Sequence, residues 1–158
     1  MRRRHYPTGP LEDRQVPMQS KLAAWWVSFM FLYVYVDILG LYMPGVVDDI
    51  LAGIVWELEI SQTWAFGALT LMAIPISMVA LSMTLPARAN RRANLVVAPL
   101  YVVVSVANGI GESWTYYFAI AIGLEVLVLT MIVRCAWTWP RTARHTAVPY
   151  ESDRMQSA

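Results

Sequence analysis

The chain has a single cysteine, Cys135, in 158 residues. A lone thiol excludes an internal disulfide, a CxxC redox pair and a cysteine zinc site. Histidine is nearly as scarce. His5 and His145 both lie in terminal stretches, so no axial pair is available to hold a haem within an apolar region. HExxH, GxSxG and a phosphate loop are all missing, which removes the sequence basis for three large hydrolytic classes. Nothing in the sequence points to a cofactor, a metal ion or a nucleic-acid partner. Charged residues make up only 15%, against about 25% in ordinary soluble domains.

Apolar residues fill the space. They amount to 58% of the chain, and mean hydropathy is +0.47. A bilayer core about 30 Å thick requires about 20 mostly apolar residues in a helix. Four runs approach that length: Leu22–Tyr42, Trp64–Leu85, Ala93–Ile110 and Trp114–Val133. None has the broad polar face that a helix of a soluble bundle needs. The expected fold is all-α, a transmembrane four-helix bundle over residues 21–140. The polar stretches 1–20 and 141–158 read as disordered tails. The first run is too long for a signal peptide and has no small-x-small cleavage site before Asp37, so it reads as a retained span.

Charge sets the expected orientation. All 12 Lys and Arg fall in the N-terminal stretch, between the second and third runs at Arg88, Arg91 and Arg92, or at the C-terminal end. The other two connections carry Asp48, Asp49, Glu57, Glu59 and Glu112 and no base. Basic loops stay in the cytoplasm, so both termini and the middle connection are expected there, in a multi-pass protein of the plasma membrane. The seven tryptophans, Trp25, Trp26, Trp56, Trp64, Trp114, Trp137 and Trp139, all fall near an expected interface. In the long outer connection, Pro44-Gly45 ends the first run. Val47, Ile50, Leu51, Ile54 and Leu58 then recur at helical spacing. This predicts a short amphipathic helix that lies on the outer surface or, the favoured reading given its acidity, caps the bundle.

Two carboxyls fall inside apolar runs, Asp37 and Glu125. Ionisable groups in a bilayer are costly and read first as functional. No Lys, Arg or His lies within any run to pair with them, so each must be protonated, hydrogen-bonded, hydrated or holding a cation. Tyr33 shares a face with Asp37. Tyr101, Ser105, Asn108 and Glu112 follow 4, 3, 4 spacing and share a face of the third run. If the faces converge, they form a polar cleft opening outward with Glu125 at its floor. That cleft has two readings, a vestibule for a ligand or proton, or hydrogen bonds that tie helices together. On the second run, Ala73, Ser77, Ala80 and Thr84 form a small-residue stripe suited to close packing, and Pro75 frees the carbonyl of Leu71.

The run FMFLYVYVDILGLYMPG, Phe29–Gly45, resembles the first span of a bacterial family of small membrane proteins, Domain of Unknown Function 6326. LMAIPISMVALSMTLP, Leu71–Pro86, with Asn90-Arg91 after it, resembles the second span, and AWTWP, Ala136–Pro140, the close. The resemblance implies four helices and a bacterial inner membrane, and singles out Tyr33, Asp37, Tyr42 and Pro44. It brings no activity. Three functions therefore compete. The first is binding or transport of a proton or a small apolar or cationic ligand through Asp37 and Glu125. The second is a structural or accessory subunit, as a homo-oligomer or in a larger membrane complex. The third is an enzyme acting on lipid or quinone. The first two are favoured over an enzyme.

Overall fold

The computed structural model describes residues 15–55 and 58–140. Expectations about residues 1–14 and 141–158, with their arginines and both histidines, lie outside the described residues, as do those about Trp56 and Glu57; residues 18–20, expected in a disordered tail, are instead the first turn of a helix.

Four long helices make the body: α1 over Met18–Gly40, α3 over Gln62–Thr84, α4 over Ala87–Asn108 and α5 over Thr115–Trp137. At 1.5 Å per residue each is about 33–35 Å long. Three of them, α1, α3 and α5, are long and apolar enough to cross a membrane. The fourth, α4, has the same reach but is more polar, with Arg88, Arg91 and Arg92 in its first two turns.

The middle connection is shorter than the charge pattern suggests. The third run was expected to begin at Ala93, with the arginines in a loop. Instead only Leu85 and Pro86 separate α3 from α4. The proline holds Leu85 extended (φ −72°, ψ 145°) and ends α3. It then stands at the start of α4, where its missing N–H breaks no helical bond. Alanine and arginine are both good helix formers, so α4 continues straight through the basic stretch.

The long connection also departs from expectation. A helix, α2, covers Val46–Leu51 and stops there. Gly53, at φ +82°, turns the chain. Strand β1, Ile54–Val55, then pairs antiparallel with β2, Leu58–Glu59, placing Ile54 opposite Glu59. Ile54 and Leu58 therefore belong to a hairpin, not to one helical stripe, since a β-branched pair after a glycine turn favours extended backbone. Nor does α2 cap the long helices. It packs on β1, buries none of its residues, and leaves Leu51 80% exposed.

The four long helices share one core. Leu22, Trp26, Phe29 and Tyr33 of α1 meet Met78 of α3, Ala98 and Tyr101 of α4, and Leu129, Ile132 and Ala136 of α5. On each helix the buried positions recur every three or four residues, so each presents one face inward. Helix α1 packs on α3 and α5, α5 packs on α4, and α3 meets α4 only lightly. The up-and-down path gives the molecule a basic end and an acidic end. Lys21, Arg88, Arg91, Arg92 and Arg134 lie at the first, and Asp37, Asp48, Asp49, Glu59 and Glu112 at the second.

Two packing expectations fail. Ala73, Ser77, Ala80 and Thr84 are all exposed, because α3 turns Pro75, Met78 and Ser82 inward instead. Trp26 does not face outward but is fully buried between helices, and its indole Nε1 donates to Asn94 Oδ1 at 2.6 Å. A buried indole needs an acceptor, and α4 brings one to it. Trp137 and Trp114 keep exposed positions near opposite helix ends.

Candidate functional site

Toward the acidic end, polar side chains from three helices meet. Tyr33 and Asp37 stand one turn apart on α1. The Asn108 amide Nδ2, at the end of α4, donates to Tyr33 Oη. Ser105, one turn back on α4, is fully buried. Glu125, near the middle of α5, is 4% exposed. Its carboxyl is the neighbour of the Ser105 hydroxyl and lies within electrostatic reach of Asp37. Both carboxyls also act on Tyr33. At the rim, Tyr117 Oη donates to the backbone carbonyl of Val36 at 2.7 Å and fastens α5 to α1 beside Asp37.

The two carboxyls differ in setting. Asp37 is exposed at the mouth. Glu125 is enclosed, with no ion pair among the described residues. The sequence explains why: no base lies in any helix at this depth. The buried Ser105 hydroxyl, which has no other hydrogen-bond partner, is placed to serve the Glu125 carboxyl.

One turn further toward the basic end the polar character stops. Phe29, Tyr101 and Leu129 form the next layer, each fully buried. The rings interlock edge to face: Phe29 and Tyr101 centroids are 5.8 Å apart at 82°, Trp26 and Tyr101 6.4 Å apart at 89°. Such edge-to-face pairs match positive ring edges to negative ring faces. An aromatic layer thus bounds the polar group on the side toward the basic end.

Of the six residues singled out from the sequence, five converge: Tyr33, Asp37, Ser105, Asn108 and Glu125. The sixth, Tyr101, lies on the same face of α4 but points its hydroxyl elsewhere. It donates to the carbonyl of Leu71 on α3, the group that Pro75 leaves without a helical partner. It belongs to the aromatic layer, not to the cleft. Among the described residues no three His, Cys, Asp or Glu side chains cluster as metal ligands.

A family model described as a family of unknown function, DUF6326, matches residues 12–146. The chain belongs to that family. No curated protein and no solved structure matches it. Membership in DUF6326 assigns no role to any side chain, so the cleft stands on its own geometry.

The same DUF6326 chain holds a second polar cluster that the sequence reading passed over. Asn90 Nδ2 donates to the Ser82 carbonyl at 2.6 Å, and Asn94 Nδ2 donates to Asn90 Oδ1 at 2.7 Å. Arg91 Nε reaches the Ala136 carbonyl at 3.2 Å, with its guanidinium over the Trp137 ring. These bonds tie the basic ends of α3, α4 and α5 together. The available signal was the spacing: Asn90, Asn94, Ala98, Tyr101 and Ser105 continue one inward stripe along α4. Placing Asn90 and Arg91 in a loop hid it.

Proposed function

We propose that this is a four-span membrane protein, a helix bundle with its basic end in the cytoplasm, whose acidic cleft takes up a proton or a small cation from the opposite side. The helix that completes that count is α4, third of the four in chain order. Its arginines then sit among lipid headgroups, and its asparagines face the other helices instead of lipid. The orientation rests on the segregation of Lys and Arg to one end.

One observation carries the functional reading. Asp37, Tyr33 and Glu125 come together from two helices, joined by Ser105 and Asn108 from a third, with no base to neutralise them. A purely structural polar contact in a membrane pairs donors with acceptors, whereas this cluster holds two carboxyls and no base among the described residues. The graded setting suits entry from water: an exposed acid at the mouth, a tyrosine hydroxyl below it, an enclosed acid at the bottom. The aromatic layer favours binding over open conduction.

The test is infrared difference spectroscopy on proteoliposomes during a step in external pH. The carboxyl band of an enclosed acid should respond, vanish in Glu125→Gln, and respond more slowly in Asp37→Asn. A band that survives Glu125→Gln would remove the proposal.

A further inference from the structure

We infer that Arg91, where the basic ends of α4 and α5 meet, is the centre of a binding site for the phosphate of an anionic phospholipid. The inference rests on the membrane reading above, with the basic end in the cytoplasmic headgroup layer, and is independent of the cleft.

The local chemistry comes first. Arg91 lies in the second turn of α4. Its Nε donates to the backbone carbonyl of Ala136 at 3.2 Å, in the last turn of α5, where carbonyls have no helical partner. Its guanidinium carbon stands 5.8 Å from the centre of the Trp137 ring. The side chain is thus held at two points. The bond from Nε serves the helix end and leaves both terminal nitrogens without a partner among the described residues. A guanidinium fixed in this way matches two oxygens of one phosphate.

Charge selects the ligand. Arg88 and Arg92 share this end of α4, and Arg134 lies near the same end of α5; all three are exposed. The acids among the described residues, Asp37, Asp48, Asp49, Glu59, Glu112 and Glu125, all lie elsewhere, so no described carboxylate neutralises these bases. A zwitterionic headgroup would bring its own ammonium into this field. A headgroup of net negative charge does not.

The surroundings select a lipid over free phosphate or an acidic protein. Trp137 is 68% exposed beside Arg91, as suits an aromatic ring at a membrane interface. One and three turns on from Arg91, on the same face of α4, come Leu95 and Val102. Val133 stands one turn back from Trp137 on α5. All three are apolar and only partly buried against the core. They continue the site into an apolar wall along the seam of α4 and α5, against which the acyl chains lie once the phosphate is seated.

The experiment is native mass spectrometry of the full chain, released from detergent micelles that carry phosphatidylglycerol and phosphatidylcholine in equal amounts. One phosphatidylglycerol is expected to stay bound per chain, in preference to phosphatidylcholine. Arg91→Gln should lower its retention by about tenfold, the loss of one charge-assisted phosphate contact. Arg91→Lys, which keeps the charge and loses the fork, should fall with it. Arg92→Gln removes the same charge from an exposed side chain and should change retention little. Equal retention of the two lipids by the unaltered chain would overturn the inference without any variant. So would equal losses in Arg91→Gln and Arg92→Gln, the result of a diffuse basic surface. Displacement of the lipid by inorganic phosphate would also overturn it, because the site would then read phosphate alone. Lipid retention and the pH response of Glu125 are separate readouts, so either can fail while the other stands.

Discussion

The Tyr101 hydroxyl on α4 occupies the carbonyl of Leu71 on α3, the acceptor that Pro75 leaves open. Proline at position 75 has no N–H to return to Leu71, four residues earlier. In lipid no water can serve that carbonyl, so a side chain from another helix takes the place. The bond also crosses a pair of helices that otherwise touch only lightly.

Removing the hydroxyl should therefore be felt. Tyr101→Phe is expected to cost about 1 kcal/mol of unfolding free energy. In a Pro75→Ala background the helix recovers its own N–H, and the same substitution should cost less. Denaturation of the four variants in mixed micelles measures the coupling. Equal costs in both backgrounds would mean that Tyr101 does not serve this carbonyl.

The second cluster makes a similar claim at the basic end. Trp26→Phe keeps most of the ring packing but strands Asn94 Oδ1, while Asn94→Leu strands the indole N–H. Each is expected to destabilise by about 1–2 kcal/mol, and the double variant by less than the sum. Acrylamide quenching supplies a second readout. Trp26 should be shielded and Trp137, which is 68% exposed, should not.

Whether α4 crosses the membrane is open to direct measurement. In a Cys135→Ala background, single cysteines are introduced as Ala89→Cys, at the start of α4, and Ser113→Cys, beyond its end. A membrane-impermeant thiol reagent applied to intact cells should label position 113 and miss position 89 until the membrane is opened. Labelling of both from outside would mean that α4 does not span.

A charge scan gives an independent check. Val103 is 65% exposed, near the middle of the apolar run Ala93–Ile110 that most of α4 carries. On a lipid-facing surface Val103→Lys should reduce insertion by about 2.5–3.5 kcal/mol. On a water-facing surface the same change would cost almost nothing. A glycosylation-reporter insertion assay separates the two.

Much of the architecture was legible because it follows from length and charge. Apolar runs of the right span became helices, and the bases went to one end. Inward faces were harder to read. Helices α1 and α3 are apolar nearly all round, so periodicity cannot tell lipid from core. That is why the stripe Ala73, Ser77, Ala80 and Thr84 was turned the wrong way and Trp26 was left at the surface. Only α4 contrasts polar with apolar along its length, and there spacing placed Ser105 and Asn108 correctly. Convergence of Asp37 with Glu125 needed the packing of α1 on α5, which no local pattern encodes. The placement of Ser105 beside Glu125 is purely tertiary information.

The inward polar stripe of α4 bears on how the protein is made. Asn90, Asn94 and Ser105 find their shelter only among neighbours, and the closest neighbour, α5, leaves the ribosome after α4. A nascent chain halted just after Asn108 would present those amides to hydrocarbon. In a four-span arrangement α4 thus enters the bilayer late, as a hairpin with its successor, and a truncation that removes α5 should unseat two helices instead of one.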